Sequence, residues 1–266
     1  MLDPSAVAVF ADLRGEGLAL ETLVRDLPGA GWAGPTPAPG WTVAHQIAHL
    51  HWTDRAALIS LTDAEGFAAM VEEAVKSPDS FVDEGAAQGA ALPPAELLDR
   101  WRAGRAALDE ALAAASPDAK FPWYGPPMKA ASMASARLME TWAHGQDVAD
   151  ALGVRRTPTA RLRHVARIGV RARDYAFAVR GLPAPAGEFR VELVPPDGGE
   201  PWVYGPQDAA DRITGPALDF CLLVTQRAHR ADLALTATGP DADRWLDIAQ
   251  AFAGPAGPGR APGATR

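Results

Sequence analysis

The sequence predicts a mainly helical protein with a small α+β region behind it. Three observations carry that reading. From about Pro4 to Gly181, apolar residues recur at threes and fours, the period of helices that bury one face. From Glu188 the texture changes to alternation with period two. The breaks between these segments are rich in Pro and Gly. A helical domain is therefore expected at 1–181 and a small α+β domain at 182–253. A Gly/Pro/Ala-rich tail, expected to be disordered, covers 254–266.

The first helix, about Pro4 to Leu27, places Val7, Phe10, Leu13, Leu18, Leu20, Leu23 and Val24 at helical spacing, and Pro28-Gly29 stops it. Residues 33–40 suit neither period and form a loop. Thr42 is placed to cap a second helix over about Val43 to Ser60, with Ile47, Leu50 and Leu58 on its apolar side. Thr62 and Asp63 cap a shorter helix from about Ala64 to Val75. Pro93-Pro94 opens the next, which runs to Ala114 with Leu97, Leu98, Trp101, Leu108 and Leu112. Residues 121–127 make an aromatic loop. A further helix is expected over Ala130 to Leu152, ended by Gly153, and another over Thr159 to Arg180. Behind these, Glu188 to Val194 reads as a strand and 195–199 as a turn. Pro201 to Gly205 is the returning strand and Asp211 to Gly215 a third. A helix over about Pro216 to Ala228 follows, Leu233 to Ala237 fits either a strand or a helix end, and Asp241 to Phe252 is the last helix.

Bulk properties exclude several classes. With 266 residues, 48% of them hydrophobic, the chain suits one large domain or two small ones with a packed core. The formal net charge is −8 and the pI about 5.2. Arginines cluster locally but form no continuous basic run, so nucleic acid is not an expected partner. The single cysteine, Cys221, excludes an intramolecular disulfide and a Cys-rich zinc site. Flanked by Phe220 and Leu222-Leu223-Val224, it reads as core. No basic-then-apolar leader follows Met1 and no apolar run approaches a membrane span, so a cytoplasmic location without a membrane partner is expected. A G-x-x-x-x-G-K-[ST] segment and a G-x-S-x-G elbow are both absent.

Four of the six histidines fall in or beside two helical segments. Glu140 and His144 are four apart, so they lie one above the other on one helix face. His45, His49 and His51 lie upstream; His45 and His49 share a face, and His51 points elsewhere. A carboxylate and two imidazoles suit zinc, and also nickel, iron or manganese. Three ligands with an open fourth position are what catalytic zinc uses. Spacing does not settle which upstream histidine joins Glu140 and His144.

Residues 39–50, Pro-Gly-Trp-Thr-Val-Ala-His-Gln-Ile-Ala-His-Leu, resemble the GWT(V)xDxxxHL signature of the mycothiol-dependent maleylpyruvate isomerase family. Glu140 to Val148 resembles that family's ExxxHxxD signature. The resemblance implies a DinB-like up-down four-helix bundle followed by a sterol-carrier-like α+β domain. It implies one divalent metal, usually zinc, held by His49, Glu140 and His144, the family's histidine being the one before leucine. Relatives often carry aspartate where this chain has His45, which leaves His45 open as a fourth ligand or a supporting group. Mycothiol is implied as thiol cosubstrate, a small electrophile as substrate, and isomerisation or S-transfer as the reaction. An arginine of the C-terminal domain meets substrate or thiol in that family. Arg227 is matched by position, and Arg230 stands beside it as a cofactor-binding candidate. Gly215 to Arg227 is similar to an actinobacterial subgroup of uncertain function that has carried a label referring to wyosine base formation. The acidic charge and the absence of a Cys cluster give that label no support.

Further candidates come from the residues themselves. Asp147, three past His144, is placed either to orient that imidazole in a catalytic role or to face solvent. Arg137, one turn before Glu140, faces the site mouth or solvent. Trp41, Trp52, Trp123 and Tyr124 are candidates to line a pocket; Trp41 and Trp52 fit bundle packing better, and Trp123 and Tyr124 of the aromatic loop are the preferred contacts for substrate or cofactor. Two other functions fit the same ligands. One is a metal-dependent hydrolase with water in place of thiol. The other is a non-catalytic binding protein whose metal is closed by His45.

Overall fold

A computed structural model of the chain describes residues 4–78 and 80–264. They form two compact units, Met1–Arg156 and Thr157–Arg266. The first contains α1 (Pro4–Val24), a single turn α2 (Gly29–Trp32), α3 (Val43–Thr62), α4 (Ala64–Lys76), α5 (Phe81–Ala90) and α6 (Pro94–Ala114). A two-stranded hairpin, β1 (Lys120–Phe121) and β2 (Met128–Lys129), leads into α7 (Ala130–Ala151). Gly153, with φ +65°, ends α7 in the left-handed conformation that glycine adopts without cost.

Four helices make the bundle. α3 packs on α6 and α7, and α1 packs on α7 and α6. Their apolar faces meet in two clusters. One joins Leu20 and Val24 of α1, Val43, Ile47 and Leu50 of α3, Leu97 and Trp101 of α6, and Val148 of α7. The other joins Val9, Phe10, Ala57, Leu108, Leu112, Met133 and Ala134. Each large side chain so buried contributes about 2 kcal/mol. Read along the chain, α3 and α6 both run from the first cluster to the second, while α1 and α7 run the opposite way. The segment between α3 and α6 must therefore return along the bundle, and α5, lying against α3, makes the return. Sequence reasoning missed α5, whose Gly- and Ala-rich stretch carries few apolar residues to show a period. Those small residues allow the close approach. A Cβ at Gly89 would lie 2.7 Å from the Ala48 Cβ, and one at Gly85 3.1 Å from the Trp52 ring.

Between the two clusters lies a layer of buried polar side chains: Glu16, His49, Thr53, Asp54, Arg137 and Thr141. Buried charge is costly unless it is paired and hydrogen-bonded. Glu16 is paired with Arg156. The Arg137 Nε donates to Asp54 Oδ1 at 2.9 Å, and its Nη2 donates to Thr53 Oγ1 at 2.6 Å. Arg137 thus occupies the bundle interior, neither at a site mouth nor in solvent.

The second unit opens with α8 (Leu162–Arg171) and α9 (Arg173–Ala178), two helices where one was expected from Thr159 to Arg180. Next come β3 (Phe189–Val194), β4 (Trp202–Tyr204), β5 (Asp211–Pro216), α10 (Ala217–Val224), β6 (Thr236–Thr238) and α11 (Pro240–Ile248). The sheet order is β4-β3-β5-β6, with β3 and β5 parallel and the outer pairs antiparallel. Alternation in β3 buries Phe189, Val191 and Leu193, and Val191 stands opposite Ile213. Trp245 of α11 closes this core edge-on against Phe189 and Phe220. The ambiguous stretch after Leu233 resolves as the edge strand β6.

The units divide at Arg156/Thr157 rather than at Gly181 because α8 packs on α10. Gly169 makes that contact possible: a Cβ there would lie 2.8 Å from Val224 Cγ2 and 3.1 Å from the Phe220 ring. The tail expected to be disordered has no regular element among its described residues but is tethered. The Gly254 N–H donates to Tyr175 Oη at 2.9 Å, and the Gly263 N–H donates to the Asp232 carboxylate at 2.9 Å.

Candidate metal centre

His49 comes from the first half of α3, and Glu140 and His144 from successive turns of α7. One ligand atom from each lies within 4.8 Å of the others. His144 Nε2 is 3.3 Å from Glu140 Oε2, and His49 Nε2 is 3.6 Å from the same oxygen. Tetrahedral zinc with ligand bonds of 2.0–2.1 Å separates its ligands by about 3.3 Å, so this donor set fits such an ion.

The hydrogen bonds around the triad fix its polarity. The Thr36 hydroxyl donates to the Trp41 carbonyl at 2.9 Å, and Gln46 Nε2 donates to Thr36 Oγ1 at 2.9 Å. The amide oxygen of Gln46 is thereby turned toward His144, accepting from its Nδ1–H at 2.5 Å. The Nε2 of a neutral His144 then carries its lone pair, facing a carboxylate. Lone pair against carboxylate is repulsive, and a proton or a metal ion between them removes the conflict. Thr53 adds a link to the polar layer, since its hydroxyl accepts from Arg137 and donates to the His49 carbonyl at 2.8 Å.

Burial pushes the His49 imidazole down to about 4, with the neighbouring His144 acting in the same direction. Burial alone would raise the Glu140 carboxyl. The nearby Nε2 atoms of His144 and His49, which can share a proton with it, and the charge of Arg137 outweigh burial and hold the group well below the ordinary carboxylate value. The site therefore holds a neutral imidazole beside an ionised carboxylate, the protonation states that metal ligands need.

The other histidines are engaged elsewhere. His45 Nδ1 meets the Thr42 hydroxyl at 2.8 Å and accepts from the Thr42 N–H at 3.4 Å, forming a capping box at the start of α3. With Nδ1 accepting, the proton sits on Nε2, and His45 stands outside the triad. His51 points at α6 beside Gly104, and burial lowers its pKa.

Gln46 was not anticipated. It lies three residues before His49, a spacing that sets both on neighbouring positions of one helix face, and that is the signal by which it could have been found. It holds the orienting position expected of Asp147, which is buried in α7 rather than facing solvent.

Trp41 and Trp52, where the sequence favours packing over lining a pocket, border the triad. The Trp41 ring is 5.3 Å from His49 and stacks on His144 at 5.9 Å. Its indole N–H donates to Asp83 of α5 at 2.9 Å. Trp52 lies 6.1 Å from His49 and 4.9 Å from Phe81. Tyr124 is 6.2 Å from Phe81, and Trp123 stacks on Phe67 at 5.8 Å, so the aromatic loop joins this strip at its far end.

In the second unit, Arg227 donates to the Thr225 carbonyl at 2.6 Å. Arg230 is clamped by Asp247 at 2.8 Å and by Asp243, so its guanidinium already has two carboxylate partners. Cys221 is fully buried, and burial raises its thiol pKa far above the ordinary value. No helix among the described residues is long and apolar enough to cross a membrane.

Comparison with known proteins follows the same division. The profile of the mycothiol maleylpyruvate isomerase N-terminal domain matches residues 13–149, and a profile described as wyosine base formation matches 185–238. An uncharacterized protein of Mycobacterium tuberculosis, matched in two strains, is 58% identical over 260 residues, covering 98% of this chain and all of that protein. Crystal structures of the mycothiol-dependent maleylpyruvate isomerase and of one of its mutants superpose with a TM-score of 0.58 at 19% and 18% identity. They cover 89% of this chain and 95% of theirs, and so share its fold. The Glu-x-x-x-His geometry, the bundle that carries it and the match over 13–149 agree: the chain belongs to the family of the mycothiol maleylpyruvate isomerase N-terminal domain.

Proposed function

We propose that the chain is a metal-dependent enzyme that activates a low-molecular-weight thiol, mycothiol, for addition to or transfer onto a small electrophile. One observation carries this reading: His49, Glu140 and His144 converge as a three-ligand set, while His45, the nearest candidate for a fourth, is turned to Thr42. Sites of three protein ligands leave a position for the reacting molecule, whereas structural zinc is closed by four. A divalent ion there, zinc by donor chemistry, supplies the charge that makes a thiol ionise near neutral pH.

The chain's own groups do the rest. Glu140 stays ionised and His49 neutral, so both offer lone pairs. Gln46 holds His144 in the tautomer whose Nε2 can ligate. Trp41 covers one side of the imidazoles and keeps water from them. The thiol proton leaves to solvent, and sulfur forms a bond to the electrophilic carbon. In isomerisation the π pair moves onto the conjugated acceptor as the C–S bond forms, the resulting single bond rotates, and return of the pair re-forms the double bond and breaks the C–S bond. The released thiolate takes a proton back from solvent, so no co-reactant is consumed. In transfer a leaving group departs with its electron pair. Arg227 remains the candidate in the second unit for contact with thiol or substrate, and Arg227→Gln should raise the KM for thiol without changing metal content.

Elemental analysis of the purified parent, His49→Ala and Glu140→Ala, each checked by circular dichroism, tests the proposal. About one metal per parent chain and a near-complete loss in both folded variants is the expected result. A parent that neither carries nor takes up zinc would sink it. Dependence of electrophile turnover on added thiol then separates this function from hydrolysis, which proceeds without it.

A further inference from the structure

We infer that the electrophile is an uncharged, planar molecule, aromatic or conjugated, held against an aromatic wall beside the triad; this rests on the thiol-activating function proposed above. The wall is continuous. Trp41 stands over His49 and His144, Trp52 lies 6.1 Å from His49, Phe81 lies 4.9 Å from Trp52, and Tyr124 lies 6.2 Å from Phe81. None of the four is fully buried, and Tyr124 is 39% exposed. Aromatic rings gain most from burial, so a row of them left partly open beside reactive groups has an unmet affinity for flat apolar surface. Its position is built rather than incidental. α5 approaches α3 at Gly85 so closely that a Cβ there would press on the Trp52 ring at 3.1 Å, and Asp83 of the same helix pins the Trp41 indole.

Charge argues the same way. Arg137, the arginine that acts on Glu140, is buried and already engaged by Asp54 and Thr53. Asp83 adds a carboxylate at the edge of Trp41. The three ligands bring one negative charge, so a divalent ion leaves one positive, which a thiolate neutralises. A dicarboxylate would meet Asp83 beside a centre with no net positive charge left to bind it, whereas an uncharged ring meets no such repulsion.

Titration calorimetry on the zinc-loaded full chain tests this with two probes, 1-naphthol and maleate. 1-Naphthol should bind at least about tenfold more tightly than maleate. Trp52→Ala and Phe81→Ala should each weaken 1-naphthol by about five- to tenfold, with zinc content and circular dichroism as in the parent. Trp52→Phe and Phe81→Leu, which keep apolar volume, should recover the fold if the alanine variants lose it, and Trp52→Phe should bind 1-naphthol nearly as the parent does. Maleate binding as tightly as 1-naphthol, or 1-naphthol binding unmoved by every folded wall variant, would overturn the inference. Zinc content reads the underlying function separately. A chain without zinc that still binds 1-naphthol through Trp52 and Phe81 overturns the metal centre and leaves the wall standing.

Discussion

The seam between α3 and α7 and the seam between α8 and α10 both bury groups capable of chemistry, and they treat them in opposite ways. At the first, two imidazoles and a carboxylate face one another across 3.3–3.6 Å, oriented by Gln46 and bordered by partly open aromatic rings. At the second, Cys221 is fully buried in a run of Phe220, Leu223 and Val224, and its thiol meets backbone groups alone, the Leu162 carbonyl at 3.5 Å among them. Burial acts on both, lowering the His49 pKa and raising that of Cys221. The difference lies in the neighbours. Polar partners convert the strain of desolvation into a place for a cation, whereas apolar partners silence a nucleophile.

Acid breaks the first seam before the second. An unfolded chain protonates His49 below its ordinary value of 6.5, while the folded chain resists until about 4. Stability from the neutral imidazole is therefore present above pH 6.5 and lost as pH falls toward 4, by roughly 3 kcal/mol in the metal-free protein. Glu140, also lowered, adds a loss of the same sign below its ordinary 4.5. Urea unfolding at pH 7.5 and 4.5 measures the fall, and His49→Gln should flatten it; an equal slope in that variant would reject the assignment.

Removing the orienting group is the next largest change. Gln46→Leu leaves the His144 Nδ1–H unpaired, and metal affinity should drop about 10- to 100-fold in a folded protein. Competition with a chromogenic chelator reads this, and unchanged affinity would move the orienting role elsewhere. In the second seam, Gly169→Ala gains helix propensity but forces Val224 and Phe220 apart, for a net loss of roughly 1 kcal/mol seen as a lower urea midpoint. The smallest effect belongs to Cys221→Ala, which should leave thiol-dependent turnover unchanged; a loss of activity there would reverse the contrast between the seams.

Periodicity alone locates the four bundle helices, because Leu97, Trp101, Leu108 and Leu112 in α6, like their counterparts elsewhere, repeat at the spacing that buries one face. Alternation does the same for β3. The pairing of Glu140 with His144 is likewise legible, since four residues on a helix bring two side chains together wherever that helix packs. Family signatures add His49. What one dimension does not contain is which surfaces meet across helices. His45 and His49 share a face of α3, yet only packing against α7 turns His49 to Glu140 while Thr42 claims His45. Gln46 gains its role from α7, Trp52 and Trp41 from α5, and α8 its place in the second unit from α10. Local spacing is set by covalent geometry and hydrogen bonds within an element, so the sequence by itself determined the elements and the candidate ligands. Contacts between elements depend on how whole faces fit, and only the tertiary structure decided the place of His45, the tautomer of His144 and which aromatic rings surround the centre.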